Sequence, residues 1–182
     1  MIKGLAITPP VLGRISIGKI VEKNGKRLPE KDDQFTITSQ IQNKDGWVKH
    51  PLDEQLREKA QNGKLRTIPV RMIFNEPELN LRAEYSLFDR QTGRPVCTGN
   101  GETCQRLGQN GIEQHPCPSP DLCPLAQGGL CKPYGRLYVN LDESDEFGTF
   151  IFRTTGFNSI RTLAARLSYY HAASGNLLSC LP

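Results

Sequence analysis

The chain is poor in the groups that most enzymes rely on. Its 182 residues include three histidines and one tryptophan, and aromatic residues make up 7%. A thiol nucleophile needs a paired base, and His50, His115 and His171 are the only histidines to supply it. No His-x-Glu accompanies a Pro-Cys-x-x-Cys: Pro116-Cys117 is followed by a five-residue gap, so the pattern of the zinc nucleobase deaminases is missing. Glu102 and Asp121 read as loop carboxylates rather than general bases. No apolar run approaches the about 20 residues that cross a bilayer. The opening MIKGLAITPP lacks the basic start, long apolar segment and cleavage site of a signal peptide. These absences point to a cytoplasmic protein without a membrane partner and without a catalytic constellation. In that compartment thiols stay reduced, so clustered cysteines are better metal ligands than disulfides.

Sulfur is what the chain has in excess, and in one place. Five of six cysteines fall between Cys97 and Cys131, in a stretch dense in Gly and Pro that offers little for a hydrophobic core. A tetrahedral zinc site supplies the folding energy that such a stretch cannot obtain from burial. The gaps are six residues from Cys97 to Cys104, then twelve, five and seven to Cys117, Cys123 and Cys131. None is the two-residue gap of zinc knuckles, so context carries the reading. Pro116, Pro118, Pro120, Pro124 and Pro133 stiffen the loops, and Gly128 and Gly129 permit a bend before Cys131. The expected ligands of a structural Zn²⁺ are Cys104, Cys117, Cys123 and Cys131. Cys97 belongs to an apparent strand end and can pack as a small buried residue; it and His115 are the alternative ligands. Four thiolates leave no position for a catalytic water. Cys180, in an apolar run, reads as a core residue.

Charge is unevenly spread. The formal net charge is +4, with +6 on residues 1–74 and −2 on residues 75–182. This balance permits a nucleic-acid or acidic-protein partner without requiring one.

Periodicity predicts an α+β fold of antiparallel β-hairpins with two helices, one domain over 1–182 carrying a zinc-loop insert at 97–133. Ile15, Ile17 and Val21 alternate before Asn24-Gly25, a hairpin turn signal. The overlapping Gly13-x4-Gly18-Lys19 falls short of a phosphate-binding loop, because Ile20 stands where Ser or Thr should reach Mg²⁺. Strands are expected at 34–42, 66–74 (at an edge or bulge, given Pro69), 81–88, along KPYGRLYVNL (132–141), where Leu137, Val139 and Leu141 alternate, and at 149–155, with Trp47 in a polar loop. The turn at 89–94 forms a hairpin that delivers the cysteines, and a second hairpin with an acidic turn closes the insert. Helices are expected at 51–63 and at about 158–173, the latter capped by Asn158 or Ser159 and ended by Gly175. Its Arg161 and Arg166 read first as a solvated face and second as a phosphate-contacting pair. The apolar run before Pro182 suggests truncation or a further strand.

NLRAEYSLFDRQTGRPVCTGNGETCQR, CPSPDLCPLAQGGLCKPYGRL and FIFRTTGFNSIRTLAARL together resemble a family of phages and integrative elements described as hydrolases or metal-binding proteins. The chain is similar to the recombination directionality factor-like proteins. The resemblance implies a mobile-element protein with a bound metal that contacts a serine integrase and switches it from integration to excision, without DNA chemistry of its own.

Three functions from different classes follow. The first is a non-enzymatic zinc-bearing regulator with a protein partner, a recombinase or integrase, or in a variant a host defence protein that it inhibits. The second is a direct DNA or RNA binder using Arg106, Lys132, Arg136, Arg161 and Arg166, whose affinity would fall steeply with salt. The third and weakest is a metallohydrolase.

Overall fold

The structure is a computed structural model that describes residues 9–23, 26–44, 46–142 and 148–181. It is mostly β-sheet with few helices, a mixed α+β chain. In order the elements are β1 (Val11–Lys23), β2 (Lys26–Asn43), β3 (Gly46–Lys49), α1 (Pro51–Lys59), β4 (Val70–Met72), α2 (Pro77–Asn80), β5 (Leu81–Phe88) and β6 (Pro95–Gly99). There follow β7 (Thr103–Gly108), β8 (Gly111–Pro116), α3 (Ser119–Leu122), β9 (Cys131–Leu141), β10 (Thr149–Thr154) and α4 (Phe157–Ala173). Among the described residues no helix is long and apolar enough to cross a membrane. Internal proximity divides the chain into two compact units, one of Met1–Asn80, Leu137–Arg153 and Tyr170–Pro182, the other of Leu81–Arg136 and Thr154–Tyr169.

In the first unit, β1 pairs antiparallel with β2 from Gly13↔Ser39 to Lys23↔Lys26, while the intervening Asn24-Gly25 lies outside the described residues. On its other side β1 pairs parallel with β10, an exception to the all-antiparallel arrangement expected from hairpins alone. Residues 13–19 lie in this strand, as the hairpin reading requires. Gly13 is needed there, since a Cβ would stand 2.3 Å from the Thr38 carbonyl oxygen and 2.7 Å from the Phe150 ring. Pairing with β10 ends at Ile15↔Phe152. Ile15 is therefore buried, whereas Ile17, expected on the same apolar face, is exposed where β1 retains only β2 as partner.

The core of this unit gathers Ile15, Ile37, Leu65, Val139, Leu141 and Phe150. α1 is fixed to it by a buried carboxylate. Asp53, fully buried, accepts from the Ile37 amide at 2.8 Å and from Arg57 Nε at 2.7 Å, and Arg57 donates onward to the Phe35 carbonyl at 2.6 Å. His50 Nδ1 caps the helix by accepting from the Leu52 amide, and Pro51 starts it where no N–H is needed.

β4 is shorter than the expected strand at 66–74. Pro69 cannot donate to a ladder, and the Ile73 and Phe74 amides are taken by the Oδ1 of buried Asn80, so only Val70–Met72 pairs with β9. Trp47, expected in a loop, sits in β3 with the Arg14 guanidinium 3.7 Å from its ring centroid. The acidic turn at 143–147 lies outside the described residues. Cys180 is exposed rather than in the core: a short 3₁₀ turn at Leu178–Cys180 buries Leu178, bonds Ser179 to Asn75 and turns the thiol outward.

In the second unit β5, β6, β7 and β8 form an antiparallel meander. Residues 97–116, expected as a loop insert, are thus largely strand. Apart from Gly99, within β6, the Gly residues that made the stretch look structureless sit at its turns. α4 begins at Phe157, so Asn158 and Ser159 lie within its first turn rather than capping it; the Gly156 carbonyl accepts from Ile160 instead. Its end is as expected, with Gly175 at φ +66° donating to Ala172 and Asn176 donating to His171. Ile160 packs on Gly135, where a Cβ would lie 2.8 Å from its Cγ1.

Replacing Asp53 by Ala strands the Arg57 charge and the Ile37 amide in the interior. The expected loss is about 3–5 kcal/mol, read by chemical denaturation, against a change within about 0.5 kcal/mol for the exposed control Arg166→Ala.

Candidate metal centre

The centre is built from two turns and a strand register. At the first turn the Asp89 carboxylate accepts from the amides of Gln91 and Thr92 and from the Thr92 hydroxyl, and Gly93 takes φ +66°. This closes β6 onto β5 with Leu87 opposite Cys97. At the second, Asn100 Oδ1 accepts from the amides of Glu102 and Thr103, both at 2.9 Å, while Gly101 takes φ +101°. Side chains alternate along a strand and face their partners across it, so the pairs Cys97↔Arg106 and Gly99↔Cys104 put all four residues on one face of β6 and β7. The next register places Glu113 beside Arg106 and His115 beside Cys104.

Residues 116–131 carry three further thiols to this face. The Cys117 amide donates to the Glu102 carbonyl at 2.8 Å, anchoring the segment just past β8. Ser119 at φ +67°, Gly128 at +72° and Gly129 at +70° then turn the chain through α3 and a 3₁₀ segment to Cys131 at the start of β9. Together Cys97, Cys104, Cys117, Cys123 and Cys131 line one cavity of about 20 Å³, with Tyr85, Gly99, Arg106 and the prolines 116, 118 and 120. A volume near that of one water suits an ion and excludes an organic substrate.

Close approach matters at Gly99. A Cβ there would stand 2.8 Å from Cys117 Sγ and 2.7 Å from Cys104 Cβ, so this glycine leaves room for the sulfur above it. Cys104 is nearly fully buried and its Sγ donates to the Pro116 carbonyl at 3.7 Å. Burial pushes its thiol pKa up, and hydrogen bonding to Cys97 pushes it further. The Cys131 thiol is raised by burial and then by the charges of Cys97, Cys117, Cys123 and Cys104. The Cys97 sulfur holds the Arg106 guanidinium, raising that group and keeping it cationic.

Among the described residues no group of three or more His, Cys, Asp or Glu side chains is placed so that it could hold a metal ion. The five thiols are nonetheless soft donors of the kind a thiophilic ion takes, and they line an atom-sized cavity beside one guanidinium. Of the four expected ligands, all face it. Cys97, read from sequence as a packing residue, faces it as well, and the alternation Cys97-x-Gly99 against Cys104-x-Arg106 was the signal. His115 is not among its lining residues and pairs with Glu113 at 3.2 Å.

The basic residues expected at a partner surface are not equivalent. Arg106 is turned in towards the thiols, and Arg136 is ion-paired to Glu84 with Tyr134 beneath it. Lys132, Arg161 and Arg166 are exposed. Sequence reasoning missed the exposed apolar residues of this unit: Leu107 opposite Ile112 on the β7–β8 hairpin, and Leu122, Leu125 and Leu130 on the covering segment, Leu122 at 78%.

The model of the Gp3-like family, described as recombination directionality factor-like, matches residues 12–182. The chain belongs to that family. No curated protein and no solved structure matches it. The match spans both compact units of this recombination directionality factor-like protein, the clustered cysteines included.

Gly99→Ala is expected to displace the Cys117 sulfur and destabilise the second unit by about 1–3 kcal/mol, with a parallel fall in bound zinc. Denaturation and metal analysis of the same preparation check both.

Proposed function

We propose that this chain is a non-enzymatic regulator of a mobile element that binds a serine recombinase by protein contact and sets the direction of recombination. A structural Zn²⁺ held by four of the clustered thiols, with Cys104, Cys117, Cys123 and Cys131 as the set expected from sequence, would brace the contact surface. The observation that carries the reading is the family match over residues 12–182. The cavity supports it, because it is too small for a substrate and is lined by thiols, prolines and a guanidinium rather than by an acid–base pair.

The chain's own residues do the work in two layers. The Asn100 turn and the β6–β7 register orient the thiols, which would bind a metal as thiolates. A bound zinc would cross-link β6–β8 to the segment 117–131, which has a single buried apolar residue, Ala126, of its own. Held in place, that segment and the β7–β8 hairpin present Leu107, Ile112, Leu122, Leu125 and Leu130, side chains of the kind that a protein partner covers. The exposed Lys132, Arg161 and Arg166 add positive charge, suited to an acidic rim on that partner or to DNA beside it.

The test is recombination by the partner integrase, assayed separately for integration and excision with and without the purified chain. Excision should rise and integration fall. Leu107→Asp together with Ile112→Asp should weaken the effect at least about tenfold, the loss of one good contact, while zinc content stays unchanged. An unaltered direction would overturn the proposal. Retention of DNA by the chain alone at low salt, lost as salt rises, would favour direct nucleic-acid binding instead.

A further inference from the structure

The positive excess of residues 1–74 has a focus in the first unit, where Lys59, Lys64 and Arg66 line one cleft. The cleft measures about 690 Å³, and small-ligand sites run to about 300–1,000 Å³. Gln61, Asn62 and Thr67 add neutral polar groups to its lining, and among the described residues no acid lines it. We propose that this cleft binds nucleotide phosphates, carried by a free nucleotide or by a DNA strand. It uses none of the clustered thiols.

The backbone around the cleft is fixed locally. α1 ends at Lys59, and Asn62 at φ +57° and Gly63 at φ +65° turn the chain back. Arg57 holds that turn by donating to the Gly63 carbonyl at 3.3 Å. The Phe35 amide donates to the Leu65 carbonyl at 2.7 Å, which ties the next residues to β2. The Arg66 amide donates to the Lys64 carbonyl at 3.0 Å, a three-residue turn about Leu65. Lys64 and Arg66 are thereby sent to one carboxylate, Asp33, which Lys64 reaches at 3.2 and 3.3 Å. Leu56 and Leu65, both buried, supply an apolar floor.

Charge favours an anion there. Two cations share one carboxylate, which leaves one positive charge unmatched, and Lys59 lines the cleft as well. Arg66 reaches Asp33 through Nη2, and among the described residues its Nε and Nη1 have no partner. Such a fork matches two phosphate oxygens at once. The hydrogen bonds from Arg66 and then from Lys64 hold the Asp33 carboxyl down at about 2, so at neutral pH it stays charged and keeps the two cations together. The Lys64 and Arg66 side chains are 48% and 64% exposed, so a ligand can share them without breaking a buried contact. A lone small ion would fill little of the cleft. A nucleotide fills more of it, with phosphates on the cations and its sugar or base over the leucines.

Calorimetry with ATP and fluorescence anisotropy with labelled single- and double-stranded oligonucleotides test this on the full chain, at about 50 and about 200 mM salt. Wild-type protein should bind at least one of these ligands, and more weakly at the higher salt. Lys64→Gln together with Arg66→Gln should lower that affinity at least about tenfold. Arg161→Gln together with Arg166→Gln removes the same charge elsewhere and should change it little. Tighter binding of ATP assigns the cleft to a free nucleotide, and tighter binding of an oligonucleotide assigns it to a DNA strand. No binding by the wild type, equal losses in the two double variants, or equal affinity for a polyglutamate peptide would each overturn the proposal. If the Lys64 and Arg66 variant fails to fold, amide shifts in wild-type protein on adding ATP or oligonucleotide decide: shifts centred on residues 59–67 support the site, and shifts centred elsewhere contradict it. Failure here leaves the recombinase reading intact, because none of the cleft residues belongs to the contact surface described for it.

Discussion

The register between β6 and β7 is the constraint on which the candidate site depends. A shift of one residue would carry Cys97 and Gly99 to the opposite face from Cys104 and Arg106, because the side-chain period of a strand is two. The register is set locally. Asn100 accepts from two amides of its own turn and Gly101 takes a left-handed φ, so the hairpin closes at one length only. The sequence GNGETC is therefore the part of the chain that decides which side chains meet.

From that register the two units differ in what holds them. The first has a conventional apolar interior around Ile37, Val139 and Phe150, with α1 locked on by the buried Asp53–Arg57 pair. In the second, the segment 117–131 runs through three residues at positive φ and one short helix, and its thiols face inward together. Clustered thiols repel as they ionise, which is why burial and neighbouring charges raise Cys131. A divalent cation reverses the sign of that interaction and turns the crowding into a cross-link. A regulator that works by presenting a surface has use for a rigid segment of this kind, and the family to which the chain belongs is described as recombination directionality factor-like.

Much of the fold was legible in the sequence. Strict alternation gave β5 at 81–88 to the residue, and the apolar stripe of α4 with Gly175 after it gave that helix to within one residue at its start. What was hidden had physical reasons. The parallel β1–β10 pair joins residues far apart in sequence, and no local turn chemistry announces it. Residues 97–116 looked like loop because four glycines interrupt the run, yet these sit at turns and at Gly99, leaving the strands between them intact. The cluster itself was visible as cysteine density. The position of Cys97 within it required knowing that Cys97 faces Arg106 across the ladder, which spacing alone does not convey. Arg106 and Arg136 were read as surface charges because sequence shows a basic residue but not the thiols and Glu84 that receive them.

The central claim is that a metal, not apolar burial, organises the cysteine-bearing segment. Hydrogen exchange resolved along the chain, before and after removal of metal by a chelator, tests it most directly. The account predicts that protection is lost across β6, β7, β8 and residues 117–131, while β1, β2 and α1 keep theirs. Unchanged protection at residues 117–131 in metal-free protein would contradict it.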